Sequence, residues 1–430
     1  MLTITHRYRI YPDTTQEQQL IEWMEICRGA FNYALREIKD WCDSRKCLID
    51  RCSIEKEYIL SPDLKFPNEI HQLNNLPKAK KEFPRLGEVP SQVLQQAVKQ
   101  LHRGWEYFQK RGFGFPRFKK YGQFNSLLFP QFKENPVTNL HIKLPKIGVI
   151  PVNLHRRVPS GFTVKQVRIT RIADKWYASI SLQCDVSIPD PTPYGHPIGV
   201  DIGLEKFLAT SDGILVKPLR FFKQLQSKLK LLQRRFSRKK KRSKNYEKAR
   251  IKVARLHHQI DNTRKDFHYK QAHALCDSAA LASLRASAGD MIFMEDLDYR
   301  RGAKGMFGKH MLDAAFGQFR SIVKYVCWKR GKFFAEVDAR GTSQQCPECG
   351  GEVKKDLSVR VHDCPHCGYK TDRDVAAGQN IRNRGIKLIS TVGQTGKKTA
   401  CAADLPGTEA TQSTIQVAKS RKKVTRNPKK

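Results

Sequence analysis

The chain is short of acids. Its 430 residues carry 41 Asp and Glu against 79 Lys and Arg, a formal net charge of +38. A surface so poor in carboxylates is no match for basic partners. Its self-repulsion is relieved when a polyanion binds and counterions are released. Nucleic acid is the first such partner and an anionic membrane surface the second, but no amphipathic anchor stands out. Also missing is any run of roughly 18 apolar residues, which excludes a helical membrane span. The opening stretch MLTITHRYRIYP lacks an apolar signal core. No internal repeat is visible, which argues against a solenoid. The expectation is a cytoplasmic, nucleoid-associated protein with no membrane partner.

Cysteine, by contrast, is present in number but not in a disulfide pattern. Of 12 cysteines, eight are scattered, at Cys27, Cys42, Cys47, Cys52, Cys184, Cys276, Cys327 and Cys401. The other four form two Cys-x-x-Cys pairs, Cys346/Cys349 and Cys364/Cys367, with 14 residues between the pairs and glycine after each second cysteine. Four thiolates at this spacing close a tetrahedron that suits zinc and leaves no open coordination position. The expected site is structural, with His362 and His366 as bystanders.

Periodicity places the elements around it. Residues 3–11 alternate as a strand, and Thr14 with Glu17 has the form of a capping box opening a helix with Leu20, Met24, Cys27, Phe31 and Leu35 on one face. Residues 43–90 read as irregular. A helix is expected from Ser91, with Leu94, Ala97, Leu101, Trp105 and Phe108 inward. Residues 139–184 look like strands that turn at Ala173, Asp174 and Lys175, and the Pro-rich stretch 187–197 reads as a domain boundary. Two apolar seams follow, Phe222, Leu225, Leu229, Leu232, Phe236 and then Tyr246, Ala249, Val253, Leu256, Ile260. They predict an antiparallel helical hairpin whose tip carries Arg238, Lys239, Lys240 and Lys241. Short strands are expected at 291–294 and 332–337, a helix at 314–330, and a basic disordered tail beyond about 390.

In residues 111–132 the aromatics Phe113, Phe115, Phe118, Tyr121 and Phe124 interleave with Arg117, Lys119 and Lys120. Stacking faces beside phosphate-binding charges suit nucleic acid. The plainer reading is a strand region with core aromatics and solvated cations. The charge of the whole chain tips the balance to binding.

Three acids stand out by position. Asp201 lies inside the apolar strand formed around Ile198, Val200 and Ile202; Glu295 ends the apolar run 291–294; Asp374 opens the Ala-rich segment after the second cysteine pair. A carboxylate inside an apolar strand is costly unless paired, and a metal ion is an economical partner. Singly, each has an ordinary reading as a turn residue, a solvated acid or a helix cap. As an ordered set they resemble the RNase H-like nuclease core, where such acids hold two divalent ions about 4 Å apart for phosphodiester hydrolysis. Mg²⁺ suits an all-oxygen site.

The stretches GVDIGLEKFLATSDG, MEDL and ARGTSQQCPECG…CPHCGYKTDRDVAAGQNI closely resemble the TnpB family of transposon-encoded RNA-guided DNA nucleases, related to type V CRISPR effectors. HRYRIYPDTTQEQQLIEW, FNYAL and FPRFKKYGQFNS extend the resemblance to nearly the whole chain. It implies an α/β and α+β multidomain protein. A wedge β-barrel would span 1–12 and 111–190, and a helical recognition domain 13–110. A RuvC-like nuclease would span 196–339 and 371–390, with a zinc ribbon at 340–370 and a tail at 391–430. It further implies Asp201, Glu295 and Asp374 as catalytic Mg²⁺ ligands, with Asp372 as a capping neighbour. The partners implied are a guide RNA from the transposon end, a double-stranded DNA target and, encoded nearby, a separate transposase. The family pattern departs at one place: the Asn expected two residues after the last acid is Ala376. Two rivals follow, a nuclease-dead RNA-guided DNA-binding repressor and a zinc-ribbon accessory protein of transposition.

Overall fold

Strand β1 (Leu2–Ile10) is the spine of the first half of the computed structural model, which describes residues 2–45, 60, 63–138, 140–219, 221–241, 243–277, 290–299, 305, 308–356 and 359–395. The strands β2 (Ser126–Phe129), β3 (His141–Leu144), β4 (Gly148–Asn153), β5 (Thr163–Ile172) and β6 (Lys175–Cys184) join it in one antiparallel sheet of order β2-β5-β6-β1-β4-β3. The β5–β6 hairpin turns at Ala173, whose φ of 58° is left-handed. A wedge β-barrel is expected from the resemblance; among the described residues no pairing joins β2 to β3. Helices occupy that flank, and a single core joins Leu20, Trp23 and Leu35 with Leu94 and Leu101 and with Ile169 and Ile180 of the sheet.

Helix α1 (Thr14–Ser44) starts one residue earlier than the sequence suggested. Asp13 is its cap, accepting from the Gln16 N–H, while the Gln16 side chain accepts from the Asp13 N–H. A carboxylate caps better than the Thr14 hydroxyl in that role, so the box slides back by one. The expected irregular stretch also holds a helix, α2 (Glu69–Glu82), capped by Asn68 and running through Pro77. Its apolar stripe is weak and its one buried side chain is Gln72, which explains why periodicity missed it. Helix α3 (Ser91–Arg111) begins where expected and ends at Gly112, left-handed at φ 66°.

The second half is built on a five-stranded sheet of order β11-β10-β7-β8-β9. Strands β7 (Pro197–Asp201), β10 (Met291–Glu295) and β11 (Phe333–Val337) run parallel; β8 (Leu208–Thr210) and β9 (Leu215–Val216) fold back as an antiparallel meander. Alternation along a strand sends neighbouring side chains to opposite faces. Ile198, Val200, Ile292 and Met294 therefore join one core, with α5 (Lys244–Cys276) and α7 (Phe316–Arg330). Phe293, Ala335 and Val337 face the other way, onto Ile381 of the last described helix, α8 (Arg373–Thr395). Both faces of the parallel strands are covered, which is why they read as apolar runs.

Helix α4 (Phe221–Ser237) and α5 form the expected hairpin, its seam made by Leu229, Leu256 and Ile260 and its end closed by Phe236 on Tyr246, ring centroids 4.6 Å apart. Helix α6 (Gly308–Ala314) precedes α7. Among the described residues no helix is long and apolar enough to cross a membrane. The expected tail lies outside the described residues, except that 391–395 continue α8.

Candidate active site and metal centre

Strand geometry brings two of the three acids together. β7 and β10 are adjacent and parallel, with Val200 opposite Met294. Asp201 and Glu295 are the last residues of these two strands, on the face that meets α8. The third acid arrives with that helix. A β-carbon on Gly199 would stand 1.9 Å from the Gly378 carbonyl oxygen, so two glycines let α8 lie directly on β7. One turn before Gly378 sits Asp374, in the first turn of α8. Asp372 accepts the Asp374 N–H at 3.0 Å and so caps the helix.

The electrostatics record the convergence. Burial, then the charges of Glu295 and Asp374, push the Asp201 carboxyl up to about 7, against the Ile202 N–H and Arg373, which favour its ionised form. Burial also raises Glu295, partly offset by the Thr342 hydroxyl and Arg384. Glu295 is 9% exposed. The Lys206 ammonium, from the β7–β8 turn, pairs closely with Asp372 and lies 3.3 Å from Asp374. Burial works against that ammonium, but the two carboxylates outweigh it and hold its pKa above normal. Like charges crowded in a buried place favour a cation, so this donor set fits oxygen-loving divalent ions. The three carboxylates do not meet the close spacing of the cysteine cluster below.

Lys206, Thr342 and Tyr299 were not singled out in the sequence. Tyr299 lies near the acids: burial pushes its phenol up to about 12, with Arg320 opposing and Glu295 and Asp201 adding to the rise. Its hydroxyl is buried with no hydrogen-bond partner among the described residues. Ala376, where the family pattern has Asn, is 2% exposed and packs within the inner face of α8.

The cysteines form the second centre. Cys346, Cys349, Cys364 and Cys367 place their sulfurs within 4.8 Å of one another. Cys346 Sγ lies 3.6 Å from Cys367 Sγ, and Cys349 Sγ 3.6 Å from Cys364 Sγ. Each pair is a tight turn of the same form. The Gly350 N–H donates to the Cys346 carbonyl and the Gly368 N–H to that of Cys364, with both glycines left-handed at φ 74° and 71°. Burial works against the Cys364 thiolate, but the Cys367 and His366 N–H groups and nearby thiols outweigh it and hold the thiol at about 6. The Tyr369 N–H favours the Cys367 thiolate, but burial and the other sulfurs push this thiol up to about 12. Four sulfurs cannot all ionise without a cation among them, and zinc fits. His362 is turned away, its Nδ1 against the Lys355 ammonium.

The basic residues divide. Arg117 and Lys120 are exposed, as are Arg238, Lys239, Lys240 and Lys241 at the hairpin tip. Lys119 is not free for phosphate: its ammonium lies 4.2 Å from the Phe31 ring centre and 4.5 Å from that of Phe124. Asn32 holds its backbone at both N–H and carbonyl. Of the interleaved aromatics, Phe113, Phe118 and Tyr121 are exposed and Phe124 is core.

Three family descriptions match parts of the chain: "Helix-turn-helix domain" over residues 1–47, "Probable transposase" over 179–282 and "Cas12f1-like, TNB domain" over 316–381. The described residues of the first segment form a strand and a single helix rather than two helices. "Putative RNA-guided DNA endonuclease InsQ" of Escherichia coli (strain K12) is 31% identical over 89% of this chain and 92% of its own length. "Putative RNA-guided DNA endonuclease" of Streptomyces pristinaespiralis is 27% identical over 88% of this chain and 89% of its own. A Cas12f1–sgRNA–target DNA complex overlaps at TM-score 0.32 and 15% identity over 89% of this chain and 99% of that chain, too loosely to carry an argument. The fold thus defines an α/β multidomain protein with a four-cysteine metal centre. The chain belongs to the TnpB family.

Proposed function

We propose that the chain is an RNA-guided DNA endonuclease whose RuvC-like core uses Asp201, Glu295 and Asp374, with zinc as a structural ion at the four cysteines. The observation that carries this reading is the convergence of three carboxylates at the ends of β7 and β10 and the start of α8. The strand order β9-β8-β7-β10-β11, a meander followed by parallel strands, is the order an RNase H-like core has. The relatives' names supply the guided-endonuclease part.

In this reading Asp201, Glu295 and Asp374 hold Mg²⁺. Bound there, Mg²⁺ would lower the pKa of a water and neutralise charge on the scissile phosphate. The chain's own part is positional. β7 and β10 fix two carboxylates side by side, Asp372 caps α8 so that Asp374 is aimed at them, and Lys206 supplies a fixed positive charge beside Asp374. The exposed cations Arg117, Lys120 and 238–241 would track phosphates of guide RNA or target DNA. Pairing with the guide would read sequence, while the protein holds the duplex by shape and reads a flanking motif.

The test is direct. The protein is copurified with RNA from its own locus and given duplex DNA matching that RNA, with and without Mg²⁺. Mg²⁺-dependent cutting lost in Asp201→Ala, with DNA binding retained, is the expected result. Absence of bound RNA overturns the guided reading. Guided binding without cutting in the wild type identifies the repressor instead.

A further inference from the structure

We infer that Thr342 is a positioning residue for Glu295: its hydroxyl holds the carboxylate, a proposed metal ligand, in one orientation. The inference rests on the proposed nuclease reading and adds a residue to it. Thr342 Oγ1 donates a hydrogen bond to Glu295 Oε1. The hydroxyl has one proton, and its other acceptor, the Ala339 carbonyl, is farther off at 3.2 Å. A carboxylate is the stronger acceptor and takes it. Both residues are buried, Thr342 at 4% exposure and Glu295 at 9%, so no solvent replaces the bond.

What distinguishes Thr342 from a casual neighbour is how it is held. Asn380 Nδ2, from α8, donates to the Thr342 carbonyl at 2.8 Å and to the Gln345 carbonyl at 2.7 Å. Asn380 is itself 4% exposed. Asn383 Nδ2 donates to the Pro347 carbonyl, inside the first cysteine pair, at 3.0 Å. Arg384 Nη1 donates to the carbonyls of Asp338 and Arg340 at 2.8 and 2.7 Å. One face of α8 thus grips the segment between β11 and the zinc hairpin on both sides of Thr342. The helix that delivers Asp374 at its first turn also sets the hydroxyl that orients Glu295. Two of the three acids are therefore aligned by one rigid element, and the third, Asp201, ends β7, the strand that this helix packs against.

Groups that orient a metal's ligands are worth about 10- to 100-fold in metal affinity when removed. The experiment titrates Mn²⁺ into the zinc-loaded, RNA-bound protein and follows bound metal by electron paramagnetic resonance, with DNA cleavage measured in parallel. Thr342→Val keeps the shape and deletes the hydroxyl; Thr342→Ala deletes it with a smaller side chain should valine disturb folding; Thr342→Ser restores it. Expected is an affinity loss of about tenfold or more in the Val and Ala variants, recovery in Ser, and unchanged zinc content and RNA binding in all three. Wild-type affinity in the Val and Ala variants, or a Ser variant as weak as they are, overturns the inference. Asp201→Ala keeps the two readings apart. If it loses Mn²⁺ while Thr342→Val does not, only the role of Thr342 falls; if the wild type binds no Mn²⁺, the nuclease reading falls with it.

Discussion

Gly199 of β7 and Gly378 of α8 touch backbone to backbone: a β-carbon on Gly199 would lie 1.9 Å from the Gly378 carbonyl oxygen and 2.5 Å from the Arg382 nitrogen. Nothing flexible stands in the way, so no side chain can yield. Gly385, seven residues further along α8, is pressed in the same way onto the Phe293 ring. The helix is seated on the sheet by these missing side chains.

Gly199→Ala should therefore cost at least about 3 kcal/mol, the upper end of ordinary overpacking, and lower metal affinity by lifting Asp374 away from Asp201. Gly29→Ala is the control. Its β-carbon would meet nothing within 4 Å in α1, and alanine there should stabilise by up to about 1 kcal/mol. Urea denaturation of the two variants checks both signs.

Asp201→Asn should stabilise the Mg²⁺-free protein, and more so at higher pH. The folded carboxyl titrates near 7 against a reference of 3.8, so the unfolded chain releases its proton first. Wild-type stability then falls as pH rises from about 4 to about 7 and levels off beyond. Melting temperatures in Mg²⁺-free buffer should show a gap between variant and wild type that widens across that window. Addition of Mg²⁺ should narrow it by stabilising the wild type. A gap of equal size at pH 5 and pH 8 would contradict the buried-carboxylate account.

The cysteine cluster should carry one zinc per chain, measurable by elemental analysis. Cys364→Ser removes a thiol held low and should lose the metal and melt the hairpin 340–370. His366→Ala should retain full zinc, since four sulfurs already close the site.

Lys119→Ala should act on folding, and Lys120→Ala on binding. The first removes a half-buried cation from two rings, at about 1–2 kcal/mol. The second should leave stability within about 0.5 kcal/mol and reduce the salt dependence of RNA binding by about one phosphate contact. Thermal melts and a salt titration separate them.

The parallel strands were legible because both of their faces are covered, so 291–294 and 333–337 stand out as apolar runs. The cysteine spacing was legible because four thiolates at short intervals have little other use. Asp201, Glu295 and Asp374 stood out through their place beside apolar residues. Helix α2 was hidden because it buries a glutamine rather than an apolar stripe. Thr342 and Lys206 were hidden for a different reason: each pairs with an acid distant in sequence, and no local pattern records such a partner. Lys119 misled because a lysine between aromatics looks the same whether it faces phosphate or two rings.

Chain order has a consequence for synthesis. Strand β7 is made midway along the chain and its partner helix α8 last among the described elements. At roughly 5–20 residues per second, on the order of ten seconds or more pass on the ribosome between Asp201 and Asp374. Through that interval the nascent chain already exposes many of its cations but lacks the third carboxylate. Under the proposed function it would gather RNA before its third acid is in place.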